Sequence, residues 1–173
     1  MSSAKIERLL QVLAGILLVA LGYVVADAFR DKVVNVGDQA PEFQITADSG
    51  RALERSNFGG RLLVLNFWAT WCPPCIEEMP SLDQLQRRFA SSGVVVAGVS
   101  VDTNQRTYRE FLRKTNVSFL TARDPEARIS SSYGTFKYPE TYIIDAKGVV
   151  LRKIIGPTDW MDPEMVSYIQ SLL

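Results

Sequence analysis

The alternation of apolar and polar positions divides this 173-residue chain into strands and helices. Two near-continuous apolar runs, RLLVLNFWA and GVVVAGVSVD, are typical of strands that are buried on both faces of a sheet. The stretches EFQITADSGRAL and TYIIDAKGVVLRKIIG alternate around turn residues and predict two hairpins, and VSFLTA predicts a short strand. Helices are expected over 73–89, 104–114, 125–133 and 162–173. This order of elements predicts an α/β domain with a central mixed β-sheet flanked by helices.

The N-terminal segment has a different pattern. From Leu9 to Ala26 the chain has eighteen residues without a charge. At about 1.5 Å per residue, a helix of this length nearly crosses a hydrocarbon core of roughly 30 Å. The run also lacks the polar face of a soluble core helix. We therefore expect a cytoplasmic N-terminus over 1–8, a transmembrane signal anchor in contact with lipid over 9–28, a linker over 29–35 and one domain over 36–173.

Two other interpretations of the segment remain open. Ala26, Asp27 and Ala28 have the small-x-small form of a cleavage site, so the segment could be a signal peptide that is removed after Ala28. The apolar run exceeds the usual length of roughly 7–15 residues for such a signal, which favours the anchor. The third interpretation is a buried helix. Either membrane interpretation exports the C-terminal domain.

Composition excludes several classes of function. The chain has 19 basic and 19 acidic residues, so its neutral charge gives no indication of a nucleic-acid partner. It contains no histidine, which excludes histidine general bases and histidine-ligated metals. Two cysteines alone cannot complete a four-ligand zinc site. We therefore expect no metal and no other cofactor, and we expect the cysteines to react with each other or with a partner.

Both cysteines lie in FWATWCPPC, directly after the first predicted buried strand. If Cys72 is the N-cap of the next helix, Pro73 stands at N1, where a missing N–H has no cost. Pro74 at N2 removes a donor that a capping group would use, and only the Cys75 N–H remains. The helix dipole still favours a thiolate at Cys72. We expect this thiolate to be stabilised less than a thiolate with more amide donors. A less stable thiolate favours the disulfide form of the protein, so the dithiol is expected to act as a reductant.

The three-residue spacing brings the two thiols together in the first helical turn. We expect Cys72 to be the more exposed, attacking thiol and Cys75 to be the more buried, resolving thiol. The alternative is a structural disulfide. A loop this short restrains the unfolded chain very little, so redox chemistry is favoured.

Three motifs, NFWATWCPPC, Pro80 five residues after the second cysteine, and YPETYIID, resemble the thioredoxin-like superfamily. The chain is similar to the membrane-anchored thiol–disulfide oxidoreductases of the TlpA/ResA/CcmG (DsbE) type, and VGDQAPEFQ resembles the usual start of that domain. The resemblance implies a thioredoxin-like fold with an N-terminal β-hairpin and a central strand–helix insertion. It also implies an enzyme of the bacterial inner membrane, with its catalytic domain on the periplasmic side. Such an enzyme reduces protein disulfides and is itself reduced by an upstream membrane thiol reductant.

The resemblance implies roles for individual residues. Cys72 matches the nucleophile and Cys75 the resolving thiol. Trp71 matches an aromatic residue beside the active site. Pro139 matches a cis-proline that faces the disulfide, and its neighbour Tyr138 pairs through its backbone with the substrate.

Two acidic residues are further candidates. Glu78 is three residues after Cys75 on the same helical face and matches a glutamate that moves the proton of the thiols in ResA-like proteins. A partly buried carboxylate with a raised pKa suits this role, and a solvated surface charge is the alternative. Glu140 follows Pro139, and Pro-Glu-Thr resembles the CcmG type, which implies a role in cytochrome c biogenesis. We expect Glu140 to face the substrate, with an exposed charge at a strand end as the alternative.

Two other classes of function compete with this interpretation. The first is a thiol peroxidase of the peroxiredoxin class, whose start the chain also resembles. That class has Thr or Ser three residues before its peroxidatic cysteine, and Cys72 has Ala69 there. The second is a binding module with an inert disulfide. A reduction potential below about −220 mV would indicate a reductant, whereas one near −120 mV would indicate an oxidant.

Overall fold

The computed structural model describes residues 3–28 and 33–173 and divides the chain into two units, Met1–Lys32 and Val33–Leu173. The first unit contains helix α1 (Ser3–Ala28), so the segment expected to be an anchor is helical. Among the residues that the structure describes, no helix has both the length and the apolar character needed to cross a membrane. Residues 29–32 of the expected linker lie outside the described residues. Residues 1–2 of the expected cytoplasmic N-terminus also lie outside them.

The second unit is built around a five-stranded mixed sheet with the strand order β5-β4-β3-β6-β7. Strand β3 runs parallel to β4 and antiparallel to β6, β4 and β5 are parallel, and β6 and β7 are antiparallel. Strands β1 and β2 form a separate antiparallel hairpin. The strands are β1 (Gln44–Thr46), β2 (Ala52–Glu54), β3 (Leu62–Trp68), β4 (Val94–Ser100), β5 (Leu120–Arg123), β6 (Glu140–Asp145) and β7 (Val150–Ile155). The helices are α2 (Pro73–Phe89), α3 (Gln105–Thr115), α4 (Arg128–Ser132) and α5 (Pro163–Ser171).

These elements confirm the predicted α/β architecture and both hairpins. Helix α4 begins three residues later than the predicted start at Pro125. The reason lies in Ala127, which has a left-handed backbone with a φ of 53° and therefore cannot belong to a right-handed helix. The Asp124 carboxylate accepts a hydrogen bond from the Ile129 N–H at 2.7 Å and satisfies one of the free donors at this helix start.

Strand β3 lies in the centre of the sheet and carries the chain to the cysteines. All seven of its residues are buried, because helices and loops cover both faces of the sheet. Alternate side chains belong to two hydrophobic clusters, one with Leu62 and Trp68 and the other with Leu63 and Phe67. Asn66 is the single polar residue of this strand and is also buried.

Helix α2 packs on the sheet through an apolar face, which fixes the position of its N-terminus. Met79, Leu82, Leu85 and Phe89 recur at helical spacing, and all are buried. Each such side chain contributes roughly 1.5–3 kcal/mol when it is fully buried. The first turn of α2 is thereby held at the carboxyl end of β3, the place where reactive groups lie in α/β sheets.

Candidate active site

Cys72 and Cys75 form a disulfide at the start of α2, with their Cα atoms 5.3 Å apart. Cys72 is the N-cap, with an extended backbone, and prolines occupy the next two positions as predicted. Cys72 is 5% exposed and Cys75 is 1% exposed, which agrees with the expected order of accessibility. In this oxidised state the Cys75 N–H donates to the Cys72 carbonyl oxygen at 3.0 Å.

A buried aspartate holds the turn that leads to the cysteines. The Asp102 carboxylate accepts hydrogen bonds from the Thr70 N–H at 2.9 Å and from the Thr70 hydroxyl at 2.6 Å. It also accepts one from the Ser100 hydroxyl at 2.6 Å. Asp102 lies just after β4, so the neighbouring parallel strand fixes the backbone before Trp71 and Cys72.

Glu78 lies inside the protein, on the first turns of α2. Its side chain is 4% exposed, which rules out a solvated surface charge. One carboxylate oxygen accepts from Asn66 Nδ2 at 2.8 Å, and the other accepts from the Thr158 N–H at 3.0 Å. Burial raises the pKa of Glu78 to about 7, and the bonds from Thr158 and Asn66 limit the rise. A carboxyl group with this pKa both accepts and donates protons at neutral pH.

A cleft of about 400 Å³ lies beside Glu78. Glu77 and Asp159 line it together with Glu78, so its wall is acidic. Glu77, unlike Glu78, is exposed, as expected from the sequence. Within residues 3–28 and 33–173, no group of three or more cysteine or acidic side chains is placed to hold a metal ion.

The segment with Tyr138 and Pro139 contains the cis peptide bond that the resemblance implies. The peptide bond between Tyr138 and Pro139 is cis. Trp71 is 64% exposed, and its ring meets the Tyr138 ring edge-on, with 6.0 Å between the ring centroids. Phe136, which the sequence analysis did not select, is 77% exposed in the same loop as Pro139.

Glu140 does not lie where the sequence analysis expected it. Its side chain is 0% exposed, so it neither faces a substrate nor stands as a free charge at a strand end. One carboxylate oxygen pairs with Lys153 Nζ at 3.0 Å and accepts a bond from the Tyr142 hydroxyl. The other oxygen has no hydrogen-bond partner among the described residues. Side chains alternate along a strand, so Glu140 lies on the same face of β6 as Tyr142, and both faces of this strand are buried.

The residues that hold Glu78 were not among those predicted from the sequence. A role for Asn66 could have been predicted, because a polar side chain in a strand buried on both faces requires a hydrogen-bond partner. Thr158 is 80 positions from Glu78 along the chain and donates through its backbone N–H. Because any residue type except proline has this donor, the identity of residue 158 does not predict the contact.

Comparison with known proteins identifies the family. The model of the AhpC/TSA family matches residues 36–153, more than half of the chain. This chain belongs to the AhpC/TSA family. Another comparison finds the thioredoxin-like protein YneN of Bacillus subtilis (strain 168), which is 36% identical over 146 residues, 80% of this chain and 85% of YneN. The thiol-disulfide oxidoreductase ResA of the same strain is 32% identical over 157 residues, and the match covers 88% of each protein.

The fold of this chain is also similar to that of a solved structure. A protein from Chlorobium tepidum, described as a thiol:disulfide interchange protein DsbE, matches with a TM-score of 0.74 and 28% identity. The match covers 80% of this chain and 98% of that protein. Together these relatives confirm the thioredoxin-like fold, the ResA/CcmG (DsbE) type and the class of enzyme, a thiol–disulfide oxidoreductase.

Proposed function

We propose that this AhpC/TSA family member reduces disulfides of exported proteins through Cys72 and Cys75. The observation that carries the proposal is the cysteine pair at the start of α2, with a buried carboxylate three residues after Cys75. The two sulfurs are close enough to bond, as thiol–disulfide exchange requires. Glu78, with a pKa of about 7, is matched to proton transfer at neutral pH.

The reaction begins from the dithiol. The Cys72 thiolate attacks one sulfur of the substrate disulfide, a mixed disulfide forms, and the other substrate sulfur leaves and takes up a proton. The Cys75 thiol gives its proton to the Glu78 carboxylate, and the resulting thiolate attacks the Cys72 sulfur. The second substrate sulfur then leaves and is protonated. The substrate gains two electrons and two protons, and the enzyme ends as the Cys72–Cys75 disulfide.

Substrate contact is assigned to the aromatic surface beside the disulfide. The exposed ring of Trp71 and the backbone along Tyr138 and Pro139 are the groups proposed to hold the substrate chain. Glu140 supports this segment from inside the core rather than touching the substrate. An upstream membrane thiol reductant would restore the dithiol, and an apocytochrome c is one candidate substrate.

The proposed location is the extracytoplasmic side of a bacterial inner membrane, with α1 as a single-pass anchor. In α1 the described side chains over residues 10–25 are all exposed, and Gln11 is the one strongly polar residue among them. A helix that is apolar all round is unstable in water, because nothing covers its surface. The uncharged run extends beyond these side chains, from Leu9 to Ala26, and gives nearly the length that a bilayer requires.

A trapping experiment tests the proposed function. Cys75→Ala removes the resolving thiol, so Cys72 should remain joined to its substrate in a mixed disulfide that withstands denaturing, non-reducing electrophoresis. Cys72→Ala is the matched control and should trap nothing. If the adduct forms through Cys75 in the Cys72 variant instead, the assignment of roles is wrong. If neither variant forms an adduct with a disulfide-bonded protein, the reductase proposal fails.

The thiol peroxidase is the second candidate, because family membership alone does not separate it from the reductase. The residue at the peroxidase position three before Cys72 is Ala69, which is buried and has no hydroxyl. Catalytic consumption of peroxide in the absence of a disulfide substrate would favour this candidate. An inert binding module predicts that Cys72→Ser leaves function unchanged.

A further inference from the structure

One buried amide joins three elements of the active site. Asn66 Nδ2 donates to the Glu78 carboxylate at 2.8 Å and to the Thr141 hydroxyl at 2.9 Å. Asn66 belongs to β3, which leads to the cysteines, and Glu78 belongs to the helix that carries them. Thr141 is the second residue of β6, two positions after the cis-proline Pro139. The amide therefore links the redox helix to the strand that follows the proposed substrate segment.

We propose that Asn66 is a positioning residue: it holds the Glu78 carboxylate for proton exchange with Cys75 and ties it, through Thr141, to the strand that follows the proposed substrate segment. This inference rests on the proposed function, since it concerns the proton step of the same reaction. It adds a residue that contacts neither the cysteines nor the substrate in that scheme.

The chemistry of an amide suits this position. An amide nitrogen has two hydrogens, which matches its two acceptors, and it does not titrate. An aspartate in its place would bring a second negative charge to Glu78 and disfavour ionisation. An apolar residue would leave the carboxylate oxygen without this donor. Because the Asn66 bond lowers the pKa of Glu78, its loss should make the carboxyl group bind its proton more tightly.

Few other titratable groups surround Glu78 in the described part of the chain. Glu77 and Asp159 line the same cleft, and Cys75 lies one turn earlier on α2. Strand β3 contributes the Asn66 side chain, which is in turn bonded to Thr141 of β6. The segment after β7 contributes the Thr158 backbone and the Trp160 side chain, and none of these groups titrates near neutral pH. Replacement of the neutral Asn66 side chain therefore removes a donor from Glu78 without adding or removing a charge.

The test follows the Glu78 carboxyl group directly by NMR. The full chain, oxidised and in detergent, is labelled with carbon-13 at the glutamate carboxyl groups, and Glu78→Gln assigns the Glu78 signal. Asn66→Leu keeps the number and branching of the side-chain heavy atoms but removes the donor, and it should raise the midpoint of the Glu78 titration by about one pH unit. Thr141→Val, which leaves the bond from Asn66 to Glu78 in place, should shift the midpoint less. An unchanged midpoint in Asn66→Leu overturns the proposal.

A second measurement needs no variant at Asn66 and so does not depend on its folding. In the wild-type chain, the side-chain amide resonances of Asn66 should move with pH along the same curve as the Glu78 carboxyl group. Asn66 amide resonances that do not change with pH over the Glu78 titration would overturn the proposal. Both measurements use the oxidised protein without substrate, so their outcome is independent of the trapping experiment that tests the reductase.

A kinetic readout distinguishes positioning from a general structural effect. The rate at which Cys75 resolves a mixed disulfide should fall in Asn66→Leu when Glu78 is present. In the Glu78→Gln background the same change at Asn66 should have no further effect. Equal losses in both backgrounds would mean that Asn66 acts independently of Glu78, and the proposal would be wrong.

Discussion

At the scale of single residues, two buried glutamates near the cysteines have different neighbours. Glu78 and Glu140 are both buried. Glu140 has a cation at 3.0 Å in Lys153, whereas the donors on Glu78 are neutral groups. Burial opposes a charge that no cation compensates, so the pKa of Glu78 rises to about 7. This difference makes Glu78 the residue suited to carry a proton.

The raised pKa of Glu78 predicts a pH dependence of stability. The folded protein holds this proton more tightly than the unfolded chain, so its contribution is fully present below about pH 4.5 and is lost as pH rises to about 7. The shift corresponds to roughly 3 kcal/mol. Glu78→Gln should remove this loss, so urea unfolding of the variant should change less between pH 4.5 and 8 than that of the wild type.

A neighbouring carboxylate provides the control for this measurement. Glu77 precedes Glu78 on the same helix but is exposed. Glu77→Gln should therefore retain the pH dependence of the wild type. If Glu78→Gln also retains it, Glu78 does not carry the raised pKa.

At the scale of an element, we expect the start of α2 to influence the balance between dithiol and disulfide. The helix begins with two prolines, so no N–H stands at either of the first two positions. The Cys75 N–H is bonded to the Cys72 carbonyl oxygen in the oxidised form. We therefore expect the Cys72 thiolate of the reduced form to have few backbone donors, which would favour the disulfide.

Pro74→Ala should make the protein a weaker reductant. The new N–H at N2 can donate to the Cys72 thiolate and stabilise the reduced form. A hydrogen bond of about 0.5–1.5 kcal/mol to the thiolate would make the two-electron reduction potential about 10–30 mV more positive. Equilibration of the purified protein with glutathione buffers measures this shift.

Pro73→Ala is the matched control for the helix start. It restores an N–H at N1, where an N-cap side chain does not accept a bond, so the potential should move much less. Equal shifts in both variants would attribute the effect to helix flexibility rather than to the donor at N2.

At the scale of the whole molecule, the two units differ in the side chains that they expose. The second unit folds around its own sheet and carries every residue of the site. The first unit exposes apolar side chains along α1, including Leu17, Leu18 and Val19. The proposed anchor would place these side chains in the hydrocarbon core of a bilayer.

Carbonate extraction of membranes tests this assignment. The wild-type chain should stay in the membrane pellet, whereas the double variant Ile16→Asp, Val19→Asp should be released. Each buried carboxylate costs about 2.5–3.5 kcal/mol at the centre of a bilayer helix. Val36→Asp, at an exposed position of the second unit, should remain in the pellet. A wild-type chain found in the supernatant contradicts the anchor, and an N-terminus at residue 29 would mean that the segment is cleaved.

The fold and the cysteine site were largely readable from the sequence. Buried strands and amphipathic helices leave local patterns, and the start of α2 at Pro73 was predicted correctly because prolines fix the backbone of a helix start. The start of α4 was misplaced because nothing local indicates the left-handed backbone of Ala127. Glu140 was misplaced because its partner Lys153 comes from another strand, paired with β6 only in the folded sheet.

The sequence by itself therefore determined the order of the elements, the redox pair and the place of that pair at a helix start. Each depends on neighbours within a few residues, where backbone preferences and hydrophobic periodicity act. Only the tertiary structure decided the environments of Glu78 and Glu140. The pKa of a carboxyl group depends on burial and on donors such as Asn66 and Thr158, which long-range packing brings to Glu78. No local pattern encodes those distances, so the sequence could name Glu78 as a candidate but could not establish its environment.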